Sequence, residues 1–216
     1  MPHQMKWDQA GRMVIVYGNA EGPNGVSDGA VWTYTPIGDA WHDIPPERPG
    51  AGNAFGYGGV ALDPLRPGVI MVSTLCRWSR GDTVFRTVDG GNTWRSLREQ
   101  SVMDSASVPF LQHGKSETDF GHWIGDVEID PHDRNRAWFV TGATIYTTNE
   151  LDRADRGAKI RWNPEVAGLE ETAVLDLESP PTGPALLSAL GDIGGFRHDD
   201  LTREGHLDEP HPELRL

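Results

Sequence analysis

The chain has 216 residues, which is enough for one sizeable hydrophobic core or for part of a larger protein. Its 26 glycines and 16 prolines require many turns, whereas eight tryptophans and regular apolar runs argue against disorder. A formal net charge of -13 argues against binding to nucleic acids or to anionic membranes.

The cysteine content and the first residues say little about the cellular compartment. Cys76 is the only cysteine, so no disulfide can form within the chain. Residues 1–7 contain no apolar segment typical of a signal peptide, and no apolar run in the sequence is long enough to cross a bilayer. We therefore expect no export signal in this chain and no membrane partner.

Short apolar segments between turn-rich stretches predict an all-β chain made of four units. The predicted strands of the first unit are Arg12–Tyr17, Ala30–Tyr34 and Asp39–Ile44. Those of the second unit are Gly58–Pro64, Gly68–Thr74 and Thr83–Thr87. Those of the third unit are Ile124–Pro131, Arg136–Val140, Thr144–Thr148 and Arg161–Trp162. Those of the fourth unit are Ala173–Leu177 and Leu186–Leu190.

The units resemble one another in sequence. Asp63-Pro64, after a strand of the second unit, recurs as Asp130-Pro131 in the third. The first three units each close on a tryptophan, which is Trp41, Trp94 or Trp162. Repeats of about 40–50 residues with four short strands are typical of the blades of a β-propeller. The sequence therefore predicts this fold.

Residues Thr87–Trp94 match the Asp-box, a motif of the form Ser/Thr-x-Asp-x-Gly-x-Thr-Trp. It predicts a hairpin turn in which Asp89 accepts backbone hydrogen bonds, Gly91 takes an unusual backbone conformation and Trp94 packs between sheets. Thr87 and Thr93 complete the motif. Because Asp-boxes occur in sialidases, sortilin-like receptors and polysaccharide hydrolases alike, these five residues have a structural role.

A candidate catalytic residue follows the predicted strand Leu186–Leu190, which we expect to be buried. The next residues are Gly191, Asp192 and, after Ile193, the pair Gly194-Gly195. Glycines on both sides permit a sharp turn and the close approach of a ligand. Partial desolvation at such a position favours a protonated carboxyl group, as a general acid requires. The alternative is that Asp192 caps the turn.

The repeats and this turn together resemble glycoside hydrolase family 74, the xyloglucanases and oligoxyloglucan-reducing-end-specific cellobiohydrolases. The matching segments follow one another in the same order and are Gly22–Val26, Gly56–Ala61, Ser73–Trp78, the Asp-box, Thr141–Tyr146, Gly168–Val174 and Leu187–Leu201. A series of matches in one order is far more specific than any single match.

The resemblance implies an enzyme of two seven-bladed propellers with a glucan cleft between them. Family members cleave β-1,4-glucan backbones, mostly xyloglucan, with inversion of configuration. Asp192 matches the general acid, and a second aspartate about 6.5–9.5 Å away activates the water. That second aspartate belongs to an early strand of the first propeller, and no residue of this chain corresponds to it.

The resemblance also implies how the chain is divided. Residues 1–172 match late blades of the first propeller, residues 173–201 match the junction and the first strands of the second, and residues 202–216 lose the pattern, as after a frameshift. We therefore expect a middle fragment that lacks the remaining blades and is inactive alone. The intact parent is expected to be extracellular, with a polysaccharide substrate and no cofactor.

Two tryptophans are candidates for substrate binding. Trp78 and Trp123 lie beside predicted loops, where they are either platforms for sugar rings or packed between blades. Asp126, Glu128 and Asp130 alternate along one strand and share a face, for which a solvated edge is the simpler interpretation.

Other polar residues give weaker signals. The pair Glu170-Glu171 belongs either to the cleft or to a capped turn. His113, His122, His132 and His198 lack the spacing of metal ligands, so no metal is predicted. The segment His198–Asp200 either supports Asp192 or forms a surface turn.

Two other functions remain open from the sequence. Sialidases are also propellers, but they need an arginine cluster and a tyrosine nucleophile, neither of which is evident here. A non-catalytic propeller that binds a protein or a glycan is compatible with the Asp-box, whereas the turn at Gly191–Gly195 argues against it.

Overall fold

The computed structural model describes residues 1–108, 111, 118–166, 173–191 and 194–202. Within these ranges the regular secondary structure is almost entirely β-strand, with a short helix α1 (Leu151–Asp155) and a 3-10 helix at Arg98–Gln100. The strands pair into four small sheets. No helix in the described ranges has the length and apolarity needed to cross a membrane.

The first two sheets are antiparallel meanders whose strands pair in chain order. The first sheet contains β1 (Pro2–Trp7), β2 (Met13–Gly18), β3 (Gly29–Thr35) and β4 (Ala40–Asp43). The second contains β5 (Gly56–Leu62), β6 (Ile70–Leu75), β7 (Val84–Thr87) and β8 (Arg95–Ser96).

The third sheet adds a parallel strand at its edge, and the fourth is smaller. The third sheet contains β10 (Asp126–Ile129), β11 (Ala137–Val140), β12 (Ile145–Thr148) and β13 (Ile160–Pro164), with β9 (Ser101–Met103) parallel to β13. The fourth contains β14 (Val174–Glu178), β15 (Leu186–Leu190) and β16 (Gly194–His198).

The first strands of the first three sheets lie side by side, with β5 in contact with β1 and β10. β1 and β5 run in the same direction, since His3 Nδ1 lies 2.8 Å from the carbonyl oxygen of Tyr57 and Gln9 donates to the carbonyl oxygen of Pro64 at 2.7 Å. β10 runs in this direction too, since Gln4 contacts Asp126 and Lys6 contacts Glu128. A Cβ atom on Gly59 would lie 2.7 Å from Cα of Asp126, so glycine is needed for this contact.

Two main hydrophobic clusters fill the spaces between these sheets. One lies between the first and second sheets around Val14, Phe55 and Tyr57. The other joins the second and third sheets around Phe139 and Trp162, which are fully buried. The described sheets do not close into a ring, as expected for an incomplete propeller.

The Asp-box forms the turn between β7 and β8. Asp89 accepts hydrogen bonds from the hydroxyl groups of Thr87 and Thr93, both at 2.6 Å, and from the backbone N–H of Thr93 at 2.9 Å. Gly91 has a φ of 99°, and the indole of Trp94 donates to its carbonyl oxygen at 3.1 Å. Trp94 is partly buried against the cluster between the first and second sheets.

Four strands differ from the sequence-based expectation. β1, β8 and β9 were not expected, because β1 contains the polar residues His3, Gln4 and Lys6, and β8 and β9 have only two and three residues. The pair Gly194-Gly195 begins β16, where Gly194 has a φ of 89° and a Cβ on Gly195 would lie 2.3 Å from the carbonyl oxygen of Ser188 on β15. Close approach of two strands, and not turn formation, requires glycine at position 195.

The expectation that Leu186–Leu190 is buried was wrong. The strand forms as expected, but Leu190 is its only buried residue and Leu187 is 39% exposed. On the neighbouring strand β14, Val174, Leu175 and Leu177 are exposed as well. The described residues provide no layer that packs against this sheet.

Candidate functional site

Loops that join the second and third strands of each sheet carry several of the segments that match the family pattern. Each sheet has a connection from its second to its third strand, and in an antiparallel meander this connection leaves at the end where the first strand begins. These connections are β2–β3, β6–β7, β11–β12 and β15–β16. They contain Gly22–Val26, Cys76–Trp78, Thr141–Thr144 and Asp192.

Asp192 itself lies outside the described residues, as do Glu170, Glu171 and His113. The strands on either side of Asp192 are described, and Leu190 pairs with Gly194 across the hairpin. Asp192 is therefore placed by the sequence in the second-to-third-strand connection of the fourth sheet, which is the counterpart of the β6–β7 connection.

An aromatic cluster lies at this end of the second and third sheets. The ring centroid of Trp78 is 5.8 Å from that of Trp123 and 5.3 Å from that of His122, and the His122 and Trp123 centroids are 5.1 Å apart. Trp78 is 60% exposed, whereas Trp123 is partly buried. The structure thus brings together the two tryptophans that the sequence singled out and adds a histidine.

The loop that carries Trp78 is held by buried polar contacts. Arg77 is 5% exposed; it donates to Oδ1 of Asn53 at 3.1 Å and to Oε2 of Glu47 at 2.6 Å. Its guanidinium also lies 4.9 Å from the ring centroid of Phe55. An exposed indole on an anchored loop is available to a ligand without the entropy cost of ordering the loop.

A buried carboxylate lies beneath the cluster. Asp82 is 1% exposed, and burial raises its pKa even though several donors approach it. Oδ1 accepts from the hydroxyl of Thr74 at 2.8 Å and from the backbone N–H of Arg77 at 3.0 Å. Oδ2 accepts from the backbone N–H of Trp123 at 2.8 Å.

The acidic residues of β10 are occupied by partners. Asp126 accepts from the side chain of Gln4 at 3.0 Å, and Glu128 forms an ion pair with Lys6. Asp130 lies beyond the strand and accepts from the backbone N–H of His132 at 2.8 Å. These contacts fit the solvated-edge interpretation and leave no free catalytic pair on this strand.

His198 lies away from the hairpin turn. It pairs with Leu186 at the opposite end of β15 from Leu190, and its Nε2 is 3.0 Å from Oγ of Ser188. Four residues of extended strand span about 13 Å. Among the described residues, no group of three or more histidine, cysteine, aspartate or glutamate side chains is arranged to hold a metal ion.

Sequence reasoning missed Arg77, Asp82 and Glu47 as parts of this site. A weak signal was available, because opposite charges flank Trp78 in a short loop between two apolar strands. Their burial and their partners depend on other loops, and no local pattern encodes those contacts.

A second aromatic surface lies on the first sheet. Trp41 is 47% exposed and contacts Trp32 edge-to-face and Tyr34 at a tilt, with ring centroids 6.5 Å and 4.4 Å away. A cleft of about 790 Å³ beside it is lined in part by Tyr17 and Arg48. It lies on the face of a sheet, and in a propeller such a face packs against a neighbouring blade.

Comparisons with known proteins agree with the family resemblance. No model of a protein family matches the chain. A xyloglucanase from a Paenibacillus species is 41% identical over 217 residues, covering 93% of this chain and 21% of that protein. A xyloglucanase from Acetivibrio thermocellus is 38% identical over 218 residues, covering 93% of this chain and 26% of that protein. The chain spans less than a third of the length of these relatives.

Two solved structures extend the comparison to the fold. The family 74 xyloglucanase from Xanthomonas campestris matches with a TM-score of 0.86 and 41% identity, over 98% of this chain and 29% of that one. The family 74 enzyme from Niastella koreensis matches with a TM-score of 0.74 and 29% identity, over 93% of this chain and 28% of that one. The resemblance is confirmed: over nearly all of its length, this chain matches a segment of the propeller enzymes of glycoside hydrolase family 74.

Proposed function

We propose that the chain contributes to an inverting hydrolase of β-1,4-glucans, with xyloglucan as the substrate and Asp192 as the general acid. Relatives that are 38–41% identical bear the name xyloglucanase, which supports the substrate class. We further propose that residues 173–201 belong to a second propeller and that the intact parent acts outside the cell, where a polymeric substrate is accessible.

The observation that carries this proposal is the exposed indole of Trp78. It belongs to an aromatic cluster with Trp123 and stands on a loop anchored by Arg77. The faces of a glucose ring present C–H groups, and stacking them on an indole removes apolar surface from water while the hydroxyl groups stay hydrated at the rim. This site suits a neutral sugar polymer, as does the negative charge of the chain.

Corresponding places in the chain support the assignment of Trp78 and Asp192 to one proposed site. Trp78 and Asp192 occupy the same connection in two different sheets. We propose that in the parent enzyme a glucan chain bound at the aromatic cluster continues to the turn that carries Asp192. A long binding surface of this kind is suited to a polymer and exceeds what a single sugar requires.

In the proposed reaction Asp192 gives its proton to the leaving glycosidic oxygen as the bond to the anomeric carbon breaks. A second carboxylate takes a proton from water, and that water attacks the anomeric carbon from the opposite face, inverting its configuration. Because no residue of this chain matches the second carboxylate, we expect the isolated chain to bind glucan without hydrolysing it.

A binding experiment tests the aromatic site. The full chain is titrated calorimetrically with xyloglucan oligosaccharides, and Trp78→Ala is expected to weaken binding by about tenfold, the scale of one aromatic contact. Trp41→Ala is the matched control, because Trp41 is similarly exposed on another surface. Equal affinity of Trp78→Ala and the unaltered chain would contradict the proposed site.

A hybrid enzyme tests the catalytic assignment. Residues 1–201 replace the matching segment of the Xanthomonas campestris xyloglucanase, and Asp192→Asn is introduced into this hybrid. Loss of general-acid catalysis lowers kcat by about 10²–10⁴-fold while oligosaccharide affinity is retained. NMR of the first-formed product should show the inverted anomer. Unchanged hydrolysis by the Asp192→Asn hybrid removes Asp192 from the mechanism.

A further inference from the structure

Trp123 occupies a backbone conformation that needs external support. Its φ of 57° lies in the left-handed region, which is unfavourable for a bulky side chain. A Cβ atom on Gly142 of the β11–β12 connection would lie 2.7 Å from Cε3 of the Trp123 ring, so the indole fits tightly against that loop. The ring also contacts the small cluster of Val26, Leu75 and Cys76.

The support comes from Asp82, through one carboxylate that joins two loops. Oδ1 holds the β6–β7 loop through the hydroxyl of Thr74 and the backbone N–H of Arg77, next to Trp78. Oδ2 holds the loop before β10 through the backbone N–H of Trp123. The backbone of Asp82 is fixed as well, because its carbonyl oxygen accepts from Arg98 at 2.8 Å.

These three contacts require both side-chain oxygens of Asp82 to act as hydrogen-bond acceptors. In asparagine, one oxygen is replaced by an NH₂ group, which cannot accept from an N–H donor. The remaining oxygen satisfies two donors if it faces Thr74 and Arg77, and only one if it faces Trp123. Asp82→Asn therefore leaves the partly buried N–H of Trp123 without its acceptor, while the shape of the side chain is preserved.

We propose that Asp82 is a positioning residue for glucan binding, which sets the relative orientation of the Trp78 and Trp123 rings. This inference rests on the proposed function of the aromatic site. Asp82 is buried and does not touch the substrate; it acts through the two indoles, whose present edge-to-face arrangement has an interplanar angle of 87°.

The test compares Asp82→Asn with Asp63→Asn in the full chain. Asp63 is also a buried carboxylate of the second sheet, but it follows β5 at the opposite end and accepts from Leu65 and Arg66. Asp82→Asn should weaken oligosaccharide binding by about tenfold, comparable to losing one ring contact. It should also alter the near-ultraviolet circular dichroism of the coupled indoles, whereas folded Asp63→Asn changes neither signal.

Each outcome decides a separate point. If folded Asp82→Asn keeps both the affinity and the dichroism of the unaltered chain, the positioning role is wrong. If the unaltered chain binds no oligosaccharide but Asp82→Asn still changes the dichroism, the proposed function fails while the structural coupling stands.

A measurement on the unaltered chain covers the case in which Asp82→Asn does not fold. A scalar coupling across the hydrogen bond from the Trp123 amide nitrogen to the Asp82 carboxyl carbon should be detected by NMR, together with slow exchange of that amide proton. Absence of the coupling and fast exchange would overturn the proposal without any substitution.

Discussion

At the scale of single residues, Asp82 and Asp89 show how different surroundings shift the pKa of the same residue type in opposite directions. Burial raises the pKa of Asp82 above the usual value of 3.8. Hydrogen bonds from the hydroxyl groups of Thr87 and Thr93 hold the pKa of Asp89 well below that value. The first carboxylate joins two loops beneath an exposed aromatic cluster, and the second closes a hairpin turn.

The pH dependence of stability should reflect the Asp89 shift. A carboxyl group whose pKa is lower in the folded than in the unfolded state stabilises the fold above its unfolded pKa, and this contribution is lost as pH falls towards the folded pKa. The difference in Tm between the unaltered chain and Asp89→Asn should therefore shrink between pH 6 and pH 3. Thermal melts followed by circular dichroism measure it.

Thr93→Val provides an intermediate case, because it removes one of the hydroxyl donors to Asp89 and keeps the carboxylate. The difference in Tm between Thr93→Val and Asp89→Asn should therefore be smaller than that between the unaltered chain and Asp89→Asn, and it should also shrink as pH falls. A difference in Tm that is the same at both pH values would show that Asp89 contributes to stability independently of its charge.

At the scale of elements, the contact between β5 and β10 depends on glycine. A Cβ atom on Gly59 would lie 2.7 Å from both Cα of Asp126 and the backbone nitrogen of Val127. Backbone atoms cannot move aside as a flexible side chain can, so the two strands would have to separate. The first strands of the second and third sheets can lie this close because β5 has glycine at positions 58 and 59, where a Cβ would meet the backbone of Ile124 and Asp126.

Gly59→Ala is therefore expected to lower the free energy of unfolding by about 1–3 kcal/mol, as overpacking substitutions do. Gly50→Ala is the control, because nothing lies within 4 Å of a Cβ atom at that position. Urea denaturation of the two variants measures the effect. A Gly59→Ala variant as stable as Gly50→Ala would mean that β5 and β10 are farther apart than described.

At the scale of the whole molecule, an ion-pair network joins the second and third units. Arg86 on β7 donates to both carboxylate oxygens of Asp155, at 2.7 and 3.0 Å, and Arg66 approaches Asp152 and Asp155 at 3.3 Å. Burial opposes the ionisation of Asp155, but contacts with Arg86 and Arg66 hold its pKa below the usual value. Arg86 is 2% exposed, so it depends on this partner.

Asp155→Ala should lower the free energy of unfolding by about 3 kcal/mol, because it leaves the charge of Arg86 buried and unpaired. Arg48→Ala breaks the exposed pair with Asp43 and should cost about 0–1 kcal/mol. Denaturant titration at neutral pH measures both variants. Equal effects of the two substitutions would show that the network contributes no more than a surface ion pair.

The fourth sheet should be the least stable part of the described fold. Among its strands only Leu190 is buried, so little apolar burial opposes local opening. In hydrogen exchange followed by mass spectrometry, the backbone amides of β14, β15 and β16 should exchange well before those of β5 and β10. Comparable protection in both regions would show that this sheet is packed against other parts of the molecule.

The sequence predicted most strands to within a few residues, because alternating apolar residues and turn-forming residues are local signals. It failed where a strand depends on its neighbours. β1 contains the polar residues His3, Gln4 and Lys6, and their side chains find partners on β5 and β10. β16 begins with two glycines, and only the approach of Ser188 shows why a strand needs one at position 195.

In the candidate site, too, the sequence identified some features and the structure revealed others. Trp78, Trp123 and Asp192 were identified from their places in the chain and from the family resemblance. By itself, the sequence determined the repeated all-β units, the Asp-box turn and the likeness to family 74, since each depends on residues close together or on an ordered series of motifs. Only the tertiary structure decided that Trp78 and Trp123 meet above the buried Asp82, because hydrogen bonds between distant loops leave no periodic trace in a sequence.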